Sequence, residues 1–551
     1  MNNSYFSQSR YSSKIYLLLK VTLFLIITLG IYLRLNQFLI QTLMDDEWHA
    51  VHKLLTSTPI EIASSFGHAD YSIPLTLLYW LESKIFGLSE LMMRWPLMLF
   101  GVATLIIFPL YIKKHFNFLI VSCFAFLIAI SPILIEYSRI ARPYAMTLFL
   151  VYFSIIFFYK FYNDKHKNLK IGFLYVLSAA LAIWLHLIVI MFIAAPFVVE
   201  FIKTLVSKTT DKKKCLLKLF KLGLPTLLIV SLLIIPPLIN DMAAITSKVG
   251  NNSPNLDTTT AFLYLCFGTR SSMLVIIMSC LSIIGLYSLL KVSNLSVNIL
   301  VGFGLTLLAI FIVQPAWVHI PITFTRYVLP IIPLVLLSTV IGLFNILNLT
   351  SKIINHKIIH RNFTAVILLF FIYNFTIHSP LSELLKKPNS NTLHSMYAID
   401  FRYGENIIED ILKSRSVSPF WMTLKDYPIS DKIAVAPWFF ESYNWDGPIW
   451  EKTSQHYIIP GMLINLCNDN RKGEIPNNSQ FIFKNLAYLA DKNDLISKNI
   501  HWIVYQKPIR FNTEVNNKNL EKCQQSIQHL YGKPYYEDTL IAVYKPIFND
   551  I

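Results

Sequence analysis

Residues 14–33 read KIYLLLKVTLFLIITLGIYL. A bilayer core about 30 Å thick is crossed by about 20 apolar residues in a helix, and this stretch meets that length with its two lysines near one end. It reads as a retained membrane span rather than a cleaved leader. The apolar run is too long, no small-residue cleavage site follows it, and more runs of the same kind come after. The chain of 551 residues is 54% apolar and 15% charged, whereas a soluble protein carries about 25% charged residues. It lacks the charge to cover a water-facing surface of its own length.

Working outward, further spans are predicted at 96–112, 118–135, 144–159, 171–187, 188–206, 216–238, 272–290, 297–313, 327–347 and 364–378. With the first, these make about eleven transmembrane helices. A shorter apolar stretch, Ile73–Gly87, carries Glu82 and Lys84 and reads as a helix lying in the membrane interface. The charges support this arrangement. With Arg10 and Lys14 inside, the inner loops hold Lys113 and Lys114; Lys160, Lys165, Lys167 and Lys170; Lys203, Lys208 and Lys212 to Lys214; Lys291; and Lys352, Lys357 and Arg361. The outer loops hold Lys53, Arg139, Arg142, Lys248, Arg270 and Arg326. Cytoplasmic loops of membrane proteins are enriched in Lys and Arg, so the lysine clusters face the cytoplasm. Counting Ile73–Gly87 as a crossing would reverse them.

After His378 the composition becomes that of a soluble protein. Lys432–Pro437 (KIAVAP), Ile500–Tyr505 (IHWIVY) and Leu540–Tyr544 (LIAVY) read as short buried strands, and Lys518–Tyr531 as an amphipathic helix. The expected fold class is therefore a polytopic α-helical membrane protein, residues 1–378, with a C-terminal α/β soluble domain, residues 379–551, on the outer side. Cys123, Cys215, Cys266 and Cys280 lie in or near spans and read as packing residues. Cys467 and Cys523 are the pair in the outer domain, where an oxidising compartment would permit a bridge.

The net charge of +16 does not indicate nucleic acid. The cations are dispersed over inter-span loops, no zinc-type CxxC pair or P-loop glycine pattern is present, and glycine is scarce. Attention falls instead on polar residues predicted at the outer ends of spans. The first outer loop opens Met44-Asp45-Asp46-Glu47-Trp48-His49 and continues through His68, Asp70 and Tyr71. Acids suit a helix start through capping and the helix dipole. The second holds Ser131-Pro132 and Tyr137-Ser138-Arg139-Ile140-Ala141-Arg142-Pro143-Tyr144, and Arg326-Tyr327 opens the tenth span. Arginines there can snorkel to lipid headgroups or clamp a phosphate, whose geometry guanidinium matches. His186, at the turn between the fifth and sixth spans, reads as structural. Acids and arginines gathered on one side fit sugar transfer from a polyprenyl phosphate. The leaving phosphate needs cations, and a carboxylate must take the acceptor hydroxyl's proton. One base suffices for a single inverting displacement, unlike glycoside hydrolysis, where two carboxylates share the work.

The acidic pair after the first span, the Ser-Pro…Tyr-Ser-Arg…Ala-Arg-Pro-Tyr segment and the later Arg326-Tyr327-Val328-Leu329-Pro330 resemble the multispanning GT-C glycosyltransferases. They are most similar to bacterial protein O-mannosyltransferase-like and lipid A aminoarabinose transferase-like members, glycosyltransferase family 39 in type. The resemblance covers roughly residues 14–347 and extends loosely to Tyr535-Tyr536-Glu537-Asp538. It implies Asp46 as the base and Glu47 as its partner, with Asp45 an extra acid in the same element. It implies Arg142 and Arg326 as donor-phosphate ligands, Arg139 as a weaker one, and Tyr144 and Tyr327 as lining residues. Where the family often has His-Pro-Pro-Leu-Tyr, this chain has Asp70-Tyr71-Ser72-Ile73-Pro74-Leu75, which leaves His68 without a fixed role. Some relatives hold a divalent metal near the acids; no motif here establishes one. The implied partners are a polyprenyl-phosphate sugar donor, membrane lipids and a cell-envelope acceptor (lipid A, another glycolipid, a polysaccharide or a protein), at a bacterial inner membrane.

A transporter or flippase of lipid-linked sugars is the alternative. It would want polar residues near the midplane and repeated, broken helices, whereas these spans are apolar at their centres. A membrane-anchored binding protein would leave the outer acids and arginines unexplained.

Overall fold

In the computed structural model the described residues are 13–36, 45–66, 71–164, 168–207, 211–250, 252–353, 416–437, 446–459, 480–484, 487–507 and 517–546, with a few isolated positions between them. The helices of the first part are α1 (Ser13–Leu35), α2 (Asp45–Thr56), α3 (Pro59–Ala63), α4 (Ile73–Ile85), α5 (Glu90–Ile112), α6 (Phe118–Ile130), α7 (Pro132–Arg139), α8 (Tyr144–Asn163) and α9 (Leu169–Leu185), followed by α10 (Ile190–Val206), α11 (Lys212–Asn240), α12 (Met242–Thr246), α13 (Leu256–Phe267), α14 (Ser272–Leu290), α15 (Asn294–Val313), α16 (Pro321–Val328) and α17 (Ile331–Ile353). Among the described residues, eight helices are long and apolar enough to cross a membrane, or nine if the bent pair α6–α7 is one span. The chain is a polytopic helical membrane protein with a small C-terminal sheet region.

The shortfall from eleven spans has identifiable sources. The segment 171–187 forms α9, an apolar helix of 17 residues, and most of 364–378 lies outside the described residues. The segment 118–135 does not run straight. It breaks at Ser131-Pro132 and turns by 56°, because Pro132 cannot donate a backbone hydrogen bond and its ring clashes with a continuing helix. The break leaves carbonyls at the end of α6 without intrahelical donors. Arg34, buried at the end of α1, supplies them: Nη2 donates to the Ile128 carbonyl at 3.2 Å and Nη1 to that of Ala129 at 3.3 Å. The displaced piece, α7, is buried along its whole length. It approaches α5 closely enough that a Cβ at Gly101 would collide with the Ser138 side chain. The predicted span 327–347 begins later than expected: Tyr327 and Val328 belong to the short helix α16, and the long helix starts at Ile331. α16 packs on α13, a short helix outside the predicted spans, Phe262 meeting Phe324 edge-to-face at 5.6 Å.

In the C-terminal part, β1 (Lys432–Ala436), β2 (Tyr457–Ile459), β5 (Ile500–Gln506), β6 (Tyr536–Glu537) and β7 (Ile541–Tyr544) form one sheet in the order β2-β1-β5-β7-β6. The strands β3 (Leu463–Ile464) and β4 (Ala487–Tyr488) pair separately. β1 is parallel to both β2 and β5, while β7 is antiparallel to β5 and β6. The three strands expected from sequence are β1, β5 and β7, and they run together through the middle of the sheet. Central strands are covered on both faces and so read as continuous apolar runs. The helices of this part are α18 (Phe420–Thr423), α19 (Gly447–Ser454), α20 (Lys492–Ser497) and α21 (Asn517–Tyr531). One face of the sheet carries α21 through Cys523 and Ile527. The other face buries Trp421, Trp450 and Trp502, the first two stacked at 4.8 Å. Cys523 is disulfide-bonded; Cys467 lies outside the described residues, as does 382–415, the stretch after the expected boundary at 378.

Residues 480–484 tie the two parts together. Leu88 and Phe481 form a parallel bridge, with Leu88 N–H donating to the Gln480 carbonyl at 2.8 Å and Ile482 N–H to that of Leu88 at 2.9 Å. Lys484 N–H donates to Glu90 Oε1 at 2.8 Å, and Phe483 meets Trp48 of α2 edge-to-face at 5.6 Å. The C-terminal part therefore sits at the same end of the helices as the acidic loop.

Candidate active site

The site is built where α2 begins. Glu47 is fully buried and does not face solvent at all. Arg94 of α5, equally buried, grips it bidentately, Nε to Oε1 at 2.8 Å and Nη2 to Oε2 at 2.6 Å. Oε1 also accepts the Ala141 N–H at 2.6 Å. A buried ion pair is tolerated when its geometry is good and its remaining lone pairs are met, and this one satisfies both conditions. Its effect is to join α2, α5 and the turn 140–143 at one point. Glu47 thus has the placement of a positioning group.

One residue earlier, Asp46 points elsewhere. Its side chain is 18% exposed, and it meets cations from two other segments. Arg326 of α16 lies with Nη1 2.9 Å from Oδ2, and Arg142 Nε is 3.9 Å from the same oxygen. Arg142 Nη1 also donates to the Asp46 main-chain carbonyl at 3.3 Å. On the other oxygen, His49 Nε2 stands 3.7 Å from Oδ1, one helical turn along. Burial works to raise the Asp46 carboxyl, but Arg326, Arg142 and His49 together outweigh it and hold it below the usual carboxylate range. Beneath the cations lies an aromatic floor. The Tyr144 ring is 5.4 Å from the Arg326 guanidinium carbon and 5.9 Å from that of Arg142. Tyr144 also packs against Tyr137 at 4.7 Å and His186 at 5.7 Å, and His186 reaches Tyr327 at 5.9 Å.

Asp46, Arg142, Tyr144, Arg326 and Tyr327, singled out from sequence, thus come together although they lie far apart along the chain. Asp45 opens α2, but its side chain is not among those described. His68 lies outside the described residues. Arg139 is buried on α7, with Glu136 and Arg94 as its electrostatic neighbours. Sequence reasoning missed Arg94 and gave His186 and His49 no role. The signal for Arg94 was present: a lone cation in Leu91-Met92-Met93-Arg94-Trp95-Pro96, at the outer end of an apolar run, has to be paired somewhere.

The described side chains do not form a divalent-cation site as they stand. Among the described residues no group of three or more His, Cys, Asp or Glu could hold one. The carboxylate of Asp46 is already met by two guanidiniums, which a dication would have to displace, and that of Glu47 is engaged by Arg94.

No protein-family model and no curated protein matches the chain. Among solved structures, the oligosaccharyltransferase of Archaeoglobus fulgidus in its apo form is similar at a TM-score of 0.41 and 12% identity, covering 89% of this chain and 70% of that one. Its complex with Zn and sulfate is similar at 0.39 and 13%, covering 95% and 73%. At these values the likeness assigns neither a family nor an activity.

Proposed function

We propose that the protein is a membrane glycosyltransferase of GT-C type. It moves a sugar from a polyprenyl-phosphate donor to a cell-envelope acceptor on the outer face of a bacterial inner membrane. The observation that carries this reading is the convergence of one part-exposed carboxylate, Asp46, with two guanidiniums, Arg142 and Arg326, on an aromatic floor. A single inverting displacement needs those parts. The acceptor oxygen attacks the anomeric carbon while the bond from that carbon to the phosphate oxygen breaks. The electron pair leaves on the phosphate, where arginines neutralise it. The acceptor's proton goes to Asp46. Tyr144 and Tyr327 offer ring faces beside the sugar. Glu47 and Arg94 keep α2 and the Arg142 turn in register. The C-terminal domain, tied to α2 through Phe483, helps select the acceptor in this reading.

The test uses the purified protein in nanodiscs with a radiolabelled polyprenyl-phosphate sugar and membrane glycolipids as acceptors. A positioned base contributes about 10²–10⁴ in rate, so Asp46→Asn should lower transfer by roughly that factor while retaining donor binding. Unchanged transfer would remove Asp46 from the role of base. Movement of intact donor across the bilayer without cleavage would favour a flippase.

A further inference from the structure

The cluster at Asp46 sets two requirements of that reading against each other. A base has to accept a proton, yet Asp46 is held by the groups that face it: the guanidiniums of Arg326 from α16 and Arg142 from the 140–143 turn, and the His49 imidazole from its own helix. Tyr137 of α7 is a further titratable neighbour in electrostatic contact. A carboxylate in that company is a poor base. The same two guanidiniums are also those that the donor phosphate requires, so a seated phosphate draws on the N–H donors that now face Asp46. Arg142 already stands at 3.9 Å from the carboxylate oxygen, beyond hydrogen-bonding reach.

We propose that Arg326 and Arg142 are exchanged between two anions, holding Asp46 when no donor is present and passing to the donor phosphate when it is seated, so that Asp46 is released to take a proton only in the donor complex. This rests on the transferase reading above and adds an order of events to it. The donor phosphodiester carries one negative charge and the leaving monophosphate about two, so the guanidiniums are drawn further onto the phosphate as the glycosidic bond breaks. The acceptor's proton meanwhile moves to Asp46 Oδ2, the oxygen that Arg326 has vacated. Without a donor, no active base is on offer to water or acceptor.

Coupling of this kind is reciprocal: if phosphate competes with Asp46 for the arginines, removing the carboxylate's charge must tighten phosphate binding. The probe is a long-chain polyprenyl monophosphate, titrated into wild-type protein and Asp46→Asn in nanodiscs, with the parent polyprenol as the control. Asp46→Asn should bind the monophosphate roughly ten-fold more tightly, with polyprenol binding unchanged and Arg326→Gln weakening the monophosphate in both backgrounds. Equal or weaker binding by a folded Asp46→Asn would overturn the exchange. A second measurement needs only the wild type. The acid limb of kcat reports the donor complex and that of kcat/KM for the donor the free protein, so the former should lie about one pH unit higher. Coincident limbs would overturn the exchange as well. An inactive Asp46→Asn without tighter binding removes the exchange and leaves the transferase reading standing. Wild-type protein that neither transfers sugar nor prefers monophosphate to polyprenol removes both.

Discussion

Adjacent acids in α2 have opposite environments, and the difference follows from the helix. Successive residues are rotated by about 100°, so when Asp46 faces the arginines of α16 and the 140–143 turn, Glu47 must face α5. There it meets Arg94 with no solvent to screen either charge. Removing one partner of a buried pair strands the other and costs about 3–5 kcal/mol. Arg94→Met should therefore lower the apparent melting temperature in detergent sharply. The double variant Glu47→Gln/Arg94→Met should recover much of the loss, since a glutamine oxygen can still accept the Ala141 N–H. If the double variant is as unstable as Arg94→Met alone, the pair is not what holds α2. Asp46, Arg142 and Arg326 were legible in the sequence because charges at the outer ends of apolar runs stand out individually. Which acid would face which arginine was not legible, because that depends on Arg94, a residue on a different helix.

At the scale of elements, the same asymmetry separates what could be read from what could not. Strands β1, β5 and β7 and helix α21 follow from local periodicity. The break between α6 and α7 does not, although Ser131-Pro132 was in plain view, because a proline at the end of a span and one that folds a helix back look identical until Arg34 is seen covering the freed carbonyls. Residues 480–484 carry no motif at all. Their role comes from Phe481 and Phe483, both buried in the core of the helical part, with Phe483 against Trp48, the neighbour of Glu47. Truncating a buried phenylalanine costs about 3–5 kcal/mol. Phe483→Ala should make residues near 480–484 susceptible to limited proteolysis and slow transfer together, while Phe483→Leu, which keeps most of the volume, should restore resistance. An unchanged cleavage pattern in Phe483→Ala would show that the two parts are held together by other contacts.

For the whole molecule, the question is whether the acidic site and the C-terminal sheet lie opposite the lysine-rich loops. The contacts put the acidic loop at the end of one long helix opposite that helix's own lysines. Helix α11 begins Lys212-Lys213-Lys214 and ends at Asn240, and its 29 residues span about 43 Å at 1.5 Å per residue, enough to cross a bilayer. At its far end Asp241 accepts a hydrogen bond from Ser65 Oγ at 2.9 Å, and Asn240 Nδ2 donates to the Ser64 carbonyl at 3.2 Å. Both partners lie in the loop that follows α3, beside α2 and α4. Residues 480–484 dock at the same end, on Leu88 and Glu90. The positive-inside rule predicts that the lysine end is cytoplasmic. Single cysteines placed at the exposed positions Ser253 and Lys533 should react with a membrane-impermeant maleimide in intact spheroplasts, in a background where Cys280 is replaced. Cysteines at Lys213 and Lys291, also exposed, should react only after permeabilisation. Labelling of Lys533→Cys on the same side as Lys213→Cys would place the sheet on the lysine side. It would also contradict the contacts that bind residues 480–484 to the acidic end, because no chain segment can meet Leu88 and Trp48 from across the bilayer.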